Sequence, residues 1–313
     1  MIKYVYICSA GHSGSTLLDL ILGSHSKIKS LGEVSHLPKN ITLNTKCSCG
    51  SDVVDCPMWN PVIAKLGEDL GVSVFDNPYA LNTGYPKATT VVDKSKQTPL
   101  YLLKRKFVHG LIYLEQRYSI NIFQSFKQHF YKSIVARFNI YNAVREHENV
   151  DIVIDSSKTY LEALSLYMNN PDEMRIILLS RDGRGVMYSN MKRNLGRKNG
   201  LVGWLHYYSR FITLMDRHIK PEHVLNVHYE DMAENTENVI KNICHFFDLD
   251  YEKSMLDFSS SEHHITNGND MRFSATSEIK LDTAWKKKLS EDDFKYFEKK
   301  AGELNRKMGY HQV

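Results

Sequence analysis

The stretch that most constrains the fold is the first, IKYVYICSAGHSGSTLLDLILGSHS (2–26). A β-branched and aromatic run, Ile2 to Cys8, meets small residues, Ser9 to Ser15, and then an apolar-periodic segment, Thr16 to Leu22. Strand, glycine-rich turn and helix in that order present backbone N–H groups and a helix N-terminus to an anion. The common nucleotide loop, G-x-x-x-x-G-K-[ST], needs a Lys before the hydroxyl residue to reach the outer phosphates. Here Gly14 precedes Ser15, and the only ionisable side chain of the loop is His12.

Further strand signals recur with helical patterns between them. IKSLGE (28–33), DIVID (151–155), RIILLS (175–180) and VLNVHY (224–229) read as strands. TYLEALSLYM (159–168), RGVMYSNMKR (184–193), WLHYYSRFITLMDRHI (204–219) and NVIKNICHFFDL (238–249) read as helices. Near-continuously apolar strands alternating with helices predict an α/β fold, a P-loop-like parallel sheet flanked by helices. The section from about 40 to 147 interrupts this order with a Cys/Pro-rich loop, a turn-rich stretch and a long, broken helical segment from Leu100 to His147. It reads as a mostly helical insertion within a single domain spanning 1–313, a cap suited to binding an acceptor.

Charge and hydropathy narrow the partners. Forty Lys and Arg against 36 Asp and Glu give a net charge of +4 without a dominant basic block, which permits anionic ligands but does not argue for a nucleic acid polymer, and none is expected. No run approaches 18 apolar residues, so no transmembrane segment is expected. The first strand starts at residue 2, leaving no room for a signal peptide, and the expected location is cytoplasmic.

Three more stretches fall at strand ends, where open parallel sheets gather their ligands. GEVSHLP (32–38) places Glu33 after the second strand, DSSK (155–158) places Lys158 after the third, and SRDGRGVMYS (180–189) places Arg181 after the fourth. An acid/base candidate, two cations and a helix N-terminus would then surround one crevice. His36 is a competing base. Trp204 could stack on a purine, although a helix-face core role is the simpler reading. VVDKSK (91–96) mimics VIDSSK but lies in an irregular region and is set aside as a decoy.

GHSGSTLL (11–18) together with RDGRGVMYS (181–189) resembles the two-part signature of sulfotransferases that use 3′-phosphoadenosine 5′-phosphosulfate (PAPS). GEVSHL, DSSK, HYEDM (228–232) and HHITNGNDMRF (263–273) are similar to pieces of that family's bacterial and tyrosylprotein-like branch. The resemblance implies that Gly11, His12, Ser13, Gly14, Ser15, Thr16 and Leu17 grip the 5′-phosphosulfate. It implies that Arg181 and Ser189 hold the 3′-phosphate, and that Asn269 and Arg272 close over the nucleotide. Glu33 would be the base. The family usually has Lys or Arg where His12 stands, so a protonated His12 or Lys158 is the expected cation at the bridging oxygen. The implied reaction is in-line transfer of a sulfonate to an acceptor hydroxyl on a small molecule, glycan or peptide, without a metal.

Two rival readings remain from the residues alone. A small-molecule kinase would need the missing loop Lys and an acidic Mg²⁺ ligand, for which Asp155 is the candidate. A non-catalytic nucleotide-binding module would not need Glu33. The cysteines at 47, 49 and 56 give C-x-C-x₆-C, with His36 as the upstream histidine. This matches zinc spacing poorly. A bridge would require an oxidising compartment, so thiols that pack the loop are the expectation.

Overall fold

The computed structural model describes residues 1–83, 98–274 and 276–311. The stretch 91–96 set aside above lies outside these residues. Five strands form one sheet: β1 (Tyr4–Cys8), β2 (Ile28–Ser30), β3 (Ile152–Asp155), β4 (Met174–Ser180) and β5 (Val224–His228). The order is β2-β3-β1-β4-β5, and every pairing is parallel. The expected strands are all present; four are shorter than expected, β2 by three residues, and β4 begins one residue earlier, at Met174.

Strand alternation explains why the central strands are mostly apolar. Tyr4, Tyr6 and Cys8 of β1 enter one core with Val153, Ile176 and Leu178. Val5 and Ile7 enter a second core on the opposite face with Ile154, Ile177 and Val227. A sheet covered on both faces calls for apolar side chains on both sides of its central strands.

Helices α1 (Ser15–Leu22), α2 (Leu37–Thr42), α3 (Trp59–Leu70), α4 (Pro99–Tyr118) and α5 (Gln124–Glu148) precede β3. After it come α6 (Tyr160–Asn169), α7 (Gly183–Met191), α8 (Gly196–His218), α9 (Tyr229–Glu234), α10 (Thr236–Phe246), α11 (Trp285–Lys288) and α12 (Glu291–Lys307). The helical segment expected from Leu100 to His147 is broken between Tyr118 and Gln124, where Ser119 and Phe123 both take left-handed backbone. Helix α3 lies where the sequence shows a Cys/Pro-rich loop, with Trp59, Val62, Ile63 and Leu66 buried on one side.

The segment between β2 and β3 is tied to the sheet by a buried charge cluster. Arg137 of α5 bonds Asp155 at the end of β3, Glu162 of α6 and the carbonyl of Thr83. Tyr141 and Ser157 also donate to Asp155. Removing one partner of such a pair would leave a charge buried without compensation, typically at a cost of about 3–5 kcal/mol.

Candidate functional site

The turn after β1 is built for close approach. His12 (φ 66°) and Gly14 (φ 89°) both take left-handed backbone. A Cβ at position 14 would sit 2.6 Å from Cδ2 of Tyr229, so only glycine satisfies both the dihedral and the space. Gly14 leads into α1 without a side-chain cap, leaving first-turn N–H groups for a ligand. Beneath the turn, the buried Tyr208 hydroxyl accepts from Ala10 N–H (3.1 Å) and donates to Leu179 C=O (2.7 Å), fixing the loop to β4.

Gly11, His12, Gly14, Ser15, Thr16 and Leu17 line a cleft of about 670 Å³. Glu33, Lys158, Arg181, Ser189 and Asn269 line it too, from four other parts of the chain. Lys192, Arg193 and Lys280 add to Lys158 and Arg181, giving five cations against two carboxylates, Glu33 and Asp270. That excess suits a polyanion. Ser13 is buried beneath the loop, its Oγ 3.5 Å from the Tyr208 hydroxyl.

Arg272, expected over a nucleotide, is absent from the cleft lining. It faces an adjoining hollow with Ser48 and Cys49, where it donates to Gly268 C=O (2.8 Å) and lies over the Phe273 ring. It braces the cleft wall from behind. Asn269 does reach the cleft, and its backbone N–H donates to Thr16 Oγ1 (3.1 Å).

Arg181 is held from two sides. Its guanidinium donates to His12 C=O (3.1 Å) and to Asp282 Oδ2 (3.1 Å), and it lies 4.6 Å over the Tyr229 ring. Trp204 is fully buried and donates to Arg181 C=O (3.1 Å), which makes it a support of that arginine. Lys158, another left-handed residue (φ 61°), donates to Glu33 Oε1 (2.6 Å). His36 Nε2 stands 3.4 Å from the other Glu33 oxygen.

His12 departs from expectation. Burial, then Arg193, Lys158 and Arg181, push its pKa down to about 4, so the imidazole is neutral near pH 7. Arg193 Nη1 lies 3.1 Å from His12 Nε2, as a donor to a neutral ring would. A cation that the sequence marks only as the end of a helix, Arg193, thus stands beside the turn together with Lys158. Asp155, the candidate Mg²⁺ ligand of the kinase reading, is committed to the buried Arg137 cluster and does not line the cleft.

A second cavity of about 690 Å³ shares Lys158 with the first. Arg105, Lys106 and His109 of α4, Arg210 of α8, and Tyr113, Tyr160 and Tyr207 line it. The three clustered cysteines also meet an unexpected partner. The histidine beside them is His264, with Nδ1 3.3 Å from Cys56 Sγ, whereas His36 faces Glu33.

Residues 113–253 match the family model described as "Sulfotransferase family". Over this stretch the chain is similar to the sulfotransferases. The solved sulfotransferase domain of the Synechococcus PCC 7002 olefin synthase is similar over 100% of this chain and 96% of its own, at 16% identity and a TM-score of 0.53. A sulfotransferase domain from the curacin biosynthetic pathway is similar over 100% and 99%, at 16% identity and a TM-score of 0.50. These likenesses establish a sulfotransferase fold. An uncharacterised protein of Aquifex aeolicus is 20% identical over 270 residues; the chain spans 27% of that protein's length. Among the described residues, no helix is long and apolar enough to cross a membrane.

Proposed function

We propose that this protein transfers a sulfonate from PAPS to an acceptor hydroxyl. The observation that carries the reading is the single cleft in which an uncapped helix N-terminus, Glu33, Lys158, Arg181 and Ser189 meet with an excess of cations. PAPS supplies an activated sulfonate and, after transfer, a bisphosphate leaving group. Backbone N–H groups of the 11–17 turn and the hydroxyls of Ser15 and Thr16 hold the 5′-phosphate. Arg181 and Ser189 hold the 3′-phosphate and so set the donor's position, a use of binding far from the reacting bond. Glu33 accepts the acceptor's proton as its oxygen attacks sulfur. The bond from sulfur to the bridging oxygen breaks in line, and Lys158, Arg193 and the loop amides stabilise the charge growing there.

The acceptor is best accommodated in the second cavity, because Lys158 is common to both. Its lining has cations and tyrosines and, among the described residues, no carboxylate. This favours a hydroxyl on an aromatic or sugar that also bears negative charge.

Calorimetry with 3′-phosphoadenosine 5′-phosphate, adenosine 5′-phosphate and ATP with Mg²⁺ tests the donor. A charged hydrogen bond is worth roughly 1.5–3 kcal/mol, so the bisphosphate should bind at least about tenfold tighter than the monophosphate. Arg181→Ala should erase most of the difference. Equal affinities, or a preference for ATP with Mg²⁺, would overturn the reading. Turnover of a labelled sulfonate donor with anionic phenols and sugars separates an enzyme from a binding module.

A further inference from the structure

Outside the cleft, Cys47, Cys49 and Cys56 converge with His264, from the segment between α10 and α11. One ligand atom of each lies within 4.8 Å of all the others. The Cys47–Cys56 sulfurs are 3.6 Å apart, the Cys49–Cys56 sulfurs 3.8 Å, and Cys56 Sγ is 3.3 Å from His264 Nδ1. Tetrahedral zinc, with Zn–S near 2.3 Å and Zn–N near 2.0–2.1 Å, places S and S about 3.8 Å apart and S and N about 3.6 Å apart. A disulfide would need about 2.05 Å, and all three thiols are free.

The scaffold around these atoms is fixed. Cys47 N–H donates to Ser51 C=O, and Gly50, in left-handed backbone (φ 90°), donates to Cys47 C=O, both at 2.9 Å. Trp59 Nε1 donates to His264 C=O at 2.7 Å. His264 turns Nδ1 toward the thiols, while its Nε2 stands 3.6 Å from Glu262 Oε1. A carboxylate behind the imidazole is the arrangement that orients a metal-bound histidine. Cys47, Cys56 and His264 are buried, and Cys49 is half-buried.

We propose that Cys47, Cys49, Cys56 and His264 bind one structural zinc ion. Three thiolates and one imidazole complete a closed tetrahedral set with no position left for a substrate. Thiolate-rich tetrahedral sites favour zinc or iron–sulfur chemistry, and one imidazole with three thiolates around a single centre selects zinc. Each thiol that ligates gives up its proton to solvent, so binding releases protons.

The ion would pin the 47–56 loop to the strap that follows His263. Ser48 N–H donates to Ile265 C=O (3.0 Å), Ile265 N–H donates back to Ser48 Oγ (2.8 Å), and Asn40 Nδ2 donates to Thr266 C=O (3.3 Å). A few residues on, Gly268, Asn269, Asp270 and Met271 form a wall of the anion cleft. The metal therefore anchors that wall without taking part in chemistry.

The test uses the full chain, purified under reducing conditions without chelator. Elemental analysis should find about one zinc per chain. Stripping it with a strong chelator should lower the melting temperature by more than about 5 °C, and adding zinc back should restore it. Co²⁺ added to stripped protein should give tetrahedral visible bands and thiolate-to-metal charge transfer. Cys56→Ser should lose both, and His264→Cys should keep zinc. Wild-type protein without zinc, whose melting ignores added zinc and whose Co²⁺ spectrum lacks the charge-transfer band, would overturn the proposal. So would a disulfide among the three cysteines in freshly purified chain. The wild-type measurements decide the matter even where a variant fails to fold.

Discussion

His12→Ala and Arg193→Ala distinguish which side chain brings positive charge to the turn. With a pKa of about 4, His12 is almost entirely neutral at pH 7.5. A single negative charge about 4 Å away contributes roughly 4 kcal/mol at an effective dielectric constant of about 20. That is about three pKa units, enough to carry His12 in the bound complex to about 7. Binding then draws a proton onto His12 in the window between about 4 and 7, and affinity rises as pH falls through it. By linkage, His12 adds roughly thirtyfold to affinity at pH ~5.5 and less than about twofold at pH ~7.5. Arg193 is charged throughout, so its removal should cost about tenfold or more at either pH. Calorimetry of 3′-phosphoadenosine 5′-phosphate at the two pH values, in buffers of different ionisation heat, reads affinity and proton uptake together. Comparing wild type with His12→Ala cancels protonation of the ligand's own phosphates. A tenfold loss for His12→Ala at pH 7.5, with about one proton taken up, would return the charge to His12 and refute the argument.

Glu33→Gln should keep bisphosphate affinity within a few-fold and lower turnover roughly 10²–10⁴-fold; single-turnover sulfonate transfer at normal rate would move the base to His36 or water. Gly14→Ala should destabilise the fold and abolish bisphosphate binding, because the new Cβ meets Tyr229 at 2.6 Å on left-handed backbone; a variant that melts and binds as wild type would refute the packing argument. Asp19, a buried residue of α1 that accepts hydrogen bonds from Ser30 and Ser156 (both 2.6 Å), has its pKa pushed up by burial to about 7. The folded state therefore holds a proton that the unfolded chain releases near pH ~3.9, and stability is lost as pH rises from about 4 to about 7, by of order 4 kcal/mol in all. Urea unfolding of wild type and Asp19→Asn at pH 5 and 8 should show that slope only in wild type; parallel curves would contradict it.

The sheet was legible because its strands are apolar on both faces and short in sequence. Arg181 and Ser189 were legible as a motif because they lie on one turn-and-helix unit. Arg193 was not, since its contact with His12 spans 181 positions and nothing local marks it as more than a helix-end cation. The same holds for His264, 208 positions from Cys56. Spacing rules search near a cysteine and find His36, which the fold turns toward Glu33 instead. Arg272 shows the converse, where a loop of the right composition directs its guanidinium to the backbone of its own turn. Asp155 looked available at a strand end because the sequence does not reveal that α5 returns to cover it.

The contact between Lys158 and Glu33 has a kinetic consequence on the proposed reading. With its ammonium donating to Glu33 Oε1 at 2.6 Å, Lys158 occupies one of the two oxygens that would take the acceptor's proton. A donor arriving in the cleft offers Lys158 a more strongly charged partner, and the Glu33 oxygen is released as that competition is won. Water that wanders in beforehand meets a carboxylate oxygen already engaged by Lys158. Proton abstraction is thereby timed to donor occupancy, which predicts ordered addition with donor first and limits wasteful hydrolysis while the acceptor chamber is empty.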